Sequence, residues 1–411
     1  MCNNNGACRK ADAGVMCPSF RASGEEKHLT RGRANTLRLA ISGQLSADAF
    51  TSDDLYDTMD LCVGCKGCKR ECPTGVDMSR MKIEFLHHYR NKHGIPLKDK
   101  LIGYLPRYAP LASKLSFLFN LRDRIPGLAW LSEVLLGFSQ KRSLPQWHPR
   151  PFQSSEAALK TKPNQPEVVL LADTFNTYFE PENLRAAIRV LEAAGYLVHI
   201  PVIKASKKPL CCGRTYLATG MVDKAKQTAR DTIAALKPFV DRDIPIIGLE
   251  PSCLFTLRDE YTVLEPGADT LALAGKAKLF EEFLAEEHAA GRLFMNLKPL
   301  KTNKALLHGH CHQKAFDAMG AVECILNLIP ELSIETINSS CCGMAGAFGY
   351  EAEHYDISMK MAELSLLPKV REANADTLIV ADGTSCRHQI HDGAEREALH
   401  VARVLEMALA P

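Results

Sequence analysis

Two Cys-Cys-Gly triplets, Cys211-Cys212-Gly213 and Cys341-Cys342-Gly343, occur in the same order of elements, and this duplication constrains the fold more than any other feature. Ahead of the first triplet, "EVVLLAD" reads as a buried strand, "NLRAAIRVLEAAG" as a helix stopped by Gly195, and "YLVHIPV" as a second strand. Behind it come a helix over about 221–238, the strand "IPIIGLE" and then Cys253. The second copy repeats the order. "KALLHGHC" is a strand ending at Cys311, "ELSIETI" the next strand, and after the triplet come a helix, the strand "DTLIVAD" and Cys386. Strands alternating with helices predict open α/β units, with the cysteines at strand ends where such sheets place their sites. Adjacent cysteines cannot easily bond to each other, because the joining peptide would be strained. Both thiols of a pair can instead aim at one metal centre, with the glycine clearing space.

The copies are unequal. Aligning "VVLLADTF" with "KALLHGHC" sets Phe175 opposite Cys311. The second copy then offers four thiols, Cys311, Cys341, Cys342 and Cys386, and the first offers three, Cys211, Cys212 and Cys253. These seven are the candidate metal residues of the module, with the second set expected to dominate. His308, His310 and His312 flank Cys311, and His388 follows Cys386. If the strand ran on, alternation would turn the three histidines away from Cys311. Tuning or gating of the site is the preferred reading of them, and a mononuclear Cys/His zinc site the alternative. Cys324 lies in an apolar helical pattern and reads as a core thiol.

Upstream, "LCVGCKGCKRECPTGVDM" carries Cys62, Cys65, Cys68 and Cys72 in the spacing C-x2-C-x2-C-x3-C-P. Three thiolates of such a run close around one [4Fe-4S] cube, and the fourth, before proline, reaches a neighbouring cube. Structural zinc is the rival, but zinc knuckles have no use for a third cysteine two residues on. Cys2, Asn5 and Cys8 repeat the x2 spacing with asparagine in the middle slot, and Cys17-Pro18 supplies the second C-P element. The crossing rule gives Cys62, Cys65, Cys68 and Cys17 to one cluster. It leaves Cys2, Cys8 and Cys72 for a second, either [3Fe-4S] or [4Fe-4S] with one iron bound by oxygen; an empty second site is the alternative. Between the two motifs, "HLTRGRANTLRLAISGQL" reads as a helix whose Arg31, Arg33 and Arg38 either balance cluster charge or line a solvated face.

The expected fold class is α+β overall: an N-terminal helical ferredoxin-like module over 1–95, a helical connector and linker over 96–165, and two α/β repeats over 166–275 and 276–411. Residues 96–150 hold nine Lys/Arg against three acids, among many Leu, Phe, Tyr and Trp. Their apolar faces are expected to pack on the chain's own core; docking on a membrane surface or a partner is the alternative. Residues 143–166, with five prolines, read as a linker. A formal net charge of +2 gives no field for nucleic acid. No apolar run reaches membrane-spanning length, and "MCNNNGACRKAD" has no signal-peptide pattern, so a cytoplasmic place is expected. In that compartment cysteine clusters are metal or redox sites rather than disulfides. The motif begins at Cys2, which suggests a segment normally preceded by, or working beside, another domain.

Together, "CRK…GVMCPSF…TRGRANTLRL", "CKGCKRECPTGVDM" and "HGHCHQKAF…CCGMAGAFGYE" resemble a known group. The chain is similar to the iron–sulfur subunit of glycolate oxidase and to CCG-domain proteins such as the cysteine-rich subunit of heterodisulfide reductase. It looks closer still to the C-terminal half of FAD-linked oxidases of the D-lactate and D-2-hydroxyglutarate dehydrogenase type. The resemblance implies an electron-transfer part, relaying electrons from a flavin to a quinone or other acceptor. FAD is expected on a separate dehydrogenase subunit or domain, not in this chain. Quinone exchange would put the protein peripherally on the inner face of the cytoplasmic membrane. A heterodisulfide-reductase-like thiol/disulfide protein and a zinc-binding structural protein are the competing readings. Asn5, the stretched Cys8–Cys17 gap and a single Cys386 in place of C-x2-C depart from the family patterns.

Overall fold

The computed structural model describes residues 2–10, 14–157, 165–203 and 208–410. Ten strands are present among them: β1 (Glu167–Leu170), β2 (Leu197–His199), β3 (Val202–Ile203), β4 (Lys208–Pro209), β5 (Ile246–Gly248), β6 (Ala277–Leu279), β7 (Lys304–Leu307), β8 (Ser333–Thr336), β9 (Leu378–Val380) and β10 (Ala398–Leu399). One parallel sheet has the order β2-β1-β5-β6 and the other β8-β7-β9-β10, the same topology in the same direction. In each, the first strand lies between the second and third, so the order reverses beside it. That reversal opens a crevice at the strand C-termini, the usual ligand position of open α/β sheets. The two copies are thus duplicates in hydrogen-bonding pattern as well as in sequence.

The first crossover helix of each copy packs against the helix that follows the last strand of the other copy. Helix Pro181–Ala193 lies on Val401–Ala408, and Phe280–Ala289 lies on Met319–Leu326. Their apolar stripes merge with strand residues such as Val168 and Ala305 into one buried core spanning both repeats. Burial of this continuous surface at roughly 25 cal/mol per Å² is what joins the halves. The expected boundary at 275/276 is corrected here: β6 pairs with β5, so the first repeat continues through Leu279. A three-residue strand directly after a helix carries too little alternation to be read from sequence.

The N-terminal module is helical, built on Thr30–Ile41, Asp53–Asp60, Gly67–Glu71 and Met78–His93. It wedges against both repeats. Lys66, 1% exposed, pairs with Asp259 and with Glu260 at 2.6 Å on the first repeat. Lys69 and Arg80 converge on the same Asp259, and Arg214 meets Glu260 at 2.6 Å. On the other side, His354 reaches Asp60 at 2.6 Å.

Of the connector, helix Leu105–Lys114 packs Ala109 and Ala112 onto Trp147, Tyr178 and Phe179. Residues expected as linker are anchored: Trp147 and Phe152 are buried, and the Trp147 N–H donates to Asn120 Oδ1 at 2.9 Å. The rest of that linker, 158–164 with Pro163, lies outside the described residues. The expected internal packing fails for the apolar residues between 117 and 135. Helix Leu128–Leu136 buries no side chain, and Phe117, Phe119, Trp130, Val134 and Leu135 are exposed. Among the described residues no helix is long and apolar enough to cross a membrane.

Candidate metal and cluster sites

Cys17, Cys62, Cys65 and Cys68 line one cavity, together with Met16, Thr30, Arg33 and Lys66. The local chain explains the grouping. The left-handed turn at Gly64 and Lys66 doubles the run back before helix Gly67–Glu71, and Cys17 is presented at the N-terminus of helix Pro18–Ser23. Gly67 is required for the close approach of the two segments, since a Cβ there would stand 2.9 Å from that of Val15. Arg33 Nη1 points at Cys17 Sγ (3.7 Å), and the Met78 N–H donates to Cys68 Sγ (3.4 Å). Burial, then the charge of Cys62, pushes the Cys68 thiol up to about 12; burial and Cys311 push Cys65 up. Buried thiols with donors aimed at sulfur fit a thiolate-ligated cluster, whose binding releases their protons. Cube ligands sit on separate irons, so they need not converge as closely as ligands of a single ion.

The second N-terminal set is looser. Cys8 is buried in the turn Ala7–Arg9, which packs beside helix Gly67–Glu71 ending at Cys72. Burial raises the Cys8 thiol; Cys72 is lowered by donors from Thr74, Val76 and Gly75 acting against burial. Cys2 Sγ accepts the Asn4 N–H at 3.4 Å. Asn5 Oδ1 accepts the Ala7 N–H at 2.9 Å, so its carboxamide is engaged by its own backbone turn.

In the second repeat, Cys311, Cys341, Cys342 and Cys386 are all buried in one cluster, and Cys65 belongs to the same cluster. β7 stops at Leu307, so Cys311 is not on a strand: it opens helix Cys311–Ala315, capped by His310. A hydrogen bond from Cys341 draws Cys311 toward thiolate, and bonds from Cys341 and Cys386 do the same for Cys342. The donors Cys341 and Cys386 are raised in return. Gly343 has φ +85°, and a side chain there would overlap the Ser358 carbonyl; Gly213 shares the conformation with φ +79°. This is the physical reason for glycine after each cysteine pair.

In the first repeat, Cys211, Cys212 and Cys253 line a cavity with Leu171, Asp173 and Glu250. Asp173 caps helix Thr174–Tyr178 as His310 caps Cys311–Ala315. The counterpart of Cys311 is therefore Thr174, not Phe175. Thr174 supports Cys211 by a side-chain hydrogen bond, whereas Phe175 packs toward Trp147 and Phe179 of the connector cluster. All three thiols here are raised, Cys211 first by its bond to Cys212 and then by burial, Cys253 to about 12 by burial and by Asp173 and Glu250 against the bond from Cys212. Asp173 is itself raised to about 7 by burial and Glu250. Asp173 and Glu250 face this set, whereas in the second repeat His310 and Lys314 help draw Cys311, and His308 helps draw Cys342, toward thiolate.

The histidines diverge. His308 lies within reach of Cys342 and Cys386, the three ligand atoms falling within 4.8 Å of one another. His310 Nδ1 accepts the His312 N–H (3.1 Å), and His312 Nε2 meets the Gly64 carbonyl (3.0 Å), next to the cluster run. His388 is engaged by Tyr350 Oη at 2.6 Å. Sequence reasoning missed Lys66, Asp259 and Glu260, because an ion cluster assembled from distant segments leaves no local spacing.

Residues 1–76 match the family model of a 4Fe-4S dicluster domain, and 173–258 and 305–391 match that of a cysteine-rich domain. One segment similar to a 4Fe-4S dicluster domain is thus followed in this chain by two segments similar to a cysteine-rich domain. D-2-hydroxyglutarate dehydrogenase of Pseudomonas putida is 26% identical over 98% of this chain and 42% of that protein. A subunit of the anaerobic glycerol-3-phosphate dehydrogenase of Escherichia coli is 26% identical over 76% of this chain and 78% of its own length. A probable glycolate oxidase iron-sulfur subunit of Bacillus subtilis is 25% identical, over 93% and 87% respectively. The chain thus spans about four-tenths of the length of the dehydrogenases it resembles and most of the length of the subunits.

Proposed function

We propose that this chain is the electron-transfer part of an FAD-linked 2-hydroxyacid dehydrogenase, working beside a flavin-bearing domain or subunit and delivering electrons to a quinone or another acceptor. The observation that carries the reading is that Cys65 shares one buried cluster with the four thiols of the second repeat, with the charge of Cys311 acting on it. Cys65 also lines the cavity of Cys17, Cys62 and Cys68, so two thiol sites share one wall. Iron–sulfur clusters supply one-electron carriers with potentials from about −700 to +450 mV. The residues of the chain hold these sites together: His312 fixes the Gly64 turn, Ser340 bonds the Val15 carbonyl, and Arg33 faces Cys17. Cys2, Cys8 and Cys72 would hold a second cluster with incomplete thiolate ligation, [3Fe-4S] or [4Fe-4S]. Cys311, Cys341, Cys342 and Cys386 would hold the metal of the second repeat. Cys211, Cys212 and Cys253, faced by carboxylates, form the secondary site.

The exposed face of helix Leu128–Leu136 and residues 117–119 suits a membrane surface. Trp130 and Phe117 are exposed beside the exposed bases Lys114 and Arg124, the pattern of an interfacial segment on anionic lipid. Such docking would bring the chain to a membrane quinone.

The test is metal analysis and EPR of protein purified without oxygen. Iron and acid-labile sulfide in near-equal amounts are expected, and Cys65→Ser should block onward transfer while a flavoprotein partner's flavin remains reducible by substrate. Stoichiometric zinc without sulfide would favour the structural reading. A titratable thiol pair with unchanged iron would favour thiol/disulfide chemistry.

A further inference from the structure

We infer that His308 is a direct metal ligand in the second repeat, through Nε2, and that His310 and His312 are not. The inference rests on the reading that this repeat holds a metal. His308 is 1% exposed, and its Nε2 is buried with no oxygen or nitrogen partner, its side-chain interaction being with the Cys342 thiol. A buried imidazole nitrogen whose neighbours are thiols is the arrangement a shared metal ion satisfies. The atoms within reach are Cys342 Sγ and Cys386 Sγ, all three within 4.8 Å of one another.

The tautomer follows from the other side of the ring. His308 Nδ1 lies 2.9 Å from Ser339 Oγ. Lys314 Nζ, a donor only, gives hydrogen bonds to that Oγ at 3.0 Å and to the Ser339 carbonyl at 2.6 Å. The serine hydroxyl has its own acceptor in the Ile337 carbonyl at 3.5 Å. Its remaining lone pair receives Nδ1–H, which leaves the Nε2 lone pair directed at the two sulfurs. A fixed ring with its second nitrogen hydrogen-bonded is the arrangement of metal-bound histidines.

The duplication supplies an internal comparison. The His308 N–H donates to the Val380 carbonyl at 2.8 Å, and the Leu171 N–H donates to the Ile247 carbonyl at 2.8 Å, the same step in both sheets. Leu171 lines the thiol cavity of the first repeat, so the side chain at this step faces the thiols in both copies. The first copy has leucine there and threonine at the Cys311 position; it lacks both extra donors. The donor set of the second repeat is therefore one nitrogen with sulfur, suited to zinc or iron.

The experiment uses the full chain purified without oxygen. Zinc or iron in the second repeat is isolated from the N-terminal iron by comparison with Cys341→Ser. X-ray absorption at the edge of that metal, or nitrogen hyperfine spectroscopy if it is paramagnetic, reads its ligands. Wild type should show imidazole nitrogen. His308→Ala should lose it, with added imidazole restoring it, whereas His310→Ala and His312→Ala should keep it. Ser339→Ala should weaken metal retention about 10-fold or more in a chelator competition. Metal bound in wild type by sulfur alone overturns the inference and leaves the metal reading standing. Absence of any metal dependent on Cys341 overturns both. The wild-type measurement decides the matter even if a variant does not fold.

Discussion

His354 should give the assembly a stability that fades on the alkaline side of neutrality. Its ring is 4% exposed and stacks on Phe348 with centroids 4.1 Å apart. One nitrogen meets Asp60 at 2.6 Å, at the end of the helix leading to Cys62; the other meets Glu351 at 3.4 Å. Burial disfavours the charged ring, but the bonds and charges of Asp60 and Glu351 outweigh it and raise its pKa to about 9. Lys98, paired with Glu351 and Glu353 at 2.6 and 2.7 Å, is the other charge at the junction. A raised pKa stabilises the fold fully below the unfolded value near 6.5 and loses that contribution as pH rises through 9. The shift corresponds to a ceiling of about 3 kcal/mol, falling to about half that near pH 8. His354→Gln should therefore cost about 2–3 kcal/mol at about pH 6 and almost nothing at about pH 9.5. Anaerobic urea unfolding at several pH values, with hydrogen exchange over residues 53–60, measures it. A gap between wild type and variant that stays constant across that range would refute the reasoning. Asp60 and Glu351 are lowered, so their own contribution runs the other way and is lost in acid.

Two further outcomes are expected. Cys341→Ser should remove metal from the duplicated module, whereas Cys211→Ser should remove little; elemental analysis that finds the reverse rejects the ranking of the repeats. Trp130→Ser with Leu135→Ser should reduce sedimentation with anionic vesicles by about 10-fold or more, since each buried apolar side chain contributes roughly 1.5–3 kcal/mol. Equal binding of wild type to zwitterionic vesicles and high salt would remove the electrostatic part, and unchanged vesicle binding with lost flavoprotein binding would assign the face to the partner.

Much of this architecture was legible because its signals are local. The two triplets, the strands ending near them and the Cys62 run each depend on spacing within about ten residues, and Cys17 joins that run's cavity as the ferredoxin crossing anticipates. The one-residue error at Thr174 has a specific cause. Register there is set by a helix cap, Asp173 in one copy and His310 in the other, and histidine is not a familiar capping residue. The same cap ended β7 at Leu307 and invalidated the strand alternation applied to His308, His310 and His312. β6 and β10 were missed because two or three residues carry no period. The exposed connector face was misassigned because an apolar stripe looks the same in sequence whether a core or another surface covers it.

What sequence could not supply is the asymmetry of the junctions on either side of the N-terminal module. Toward the first repeat the contact carries an ion cluster: Lys66, Lys69 and Arg80 of the module against Asp259 and Glu260, with the repeat's own Arg214 also on Glu260. Toward the second, beside the His354–Asp60 and Arg70–Asp317 pairs, it includes a sulfur-rich apolar seam, with Val15 and Cys65 among Cys311, Cys341 and Cys342. Three bases of the module against two acids of the repeat hold the module in place but put no thiol of the first repeat against Cys65. The duplicated domain thus has its better donor set, with the added thiol of Cys311 and the imidazole of His308, on the side where Cys65 packs, while Lys66 and Lys69 of the same run face the first repeat. Thr174 and Leu171 occupy the same two positions on the other side, where an anchoring ion cluster forms the contact. A duplication whose copies began alike is expected to keep donors where they connect to the N-terminal cluster and to lose them where they do not, and the described geometry has that arrangement.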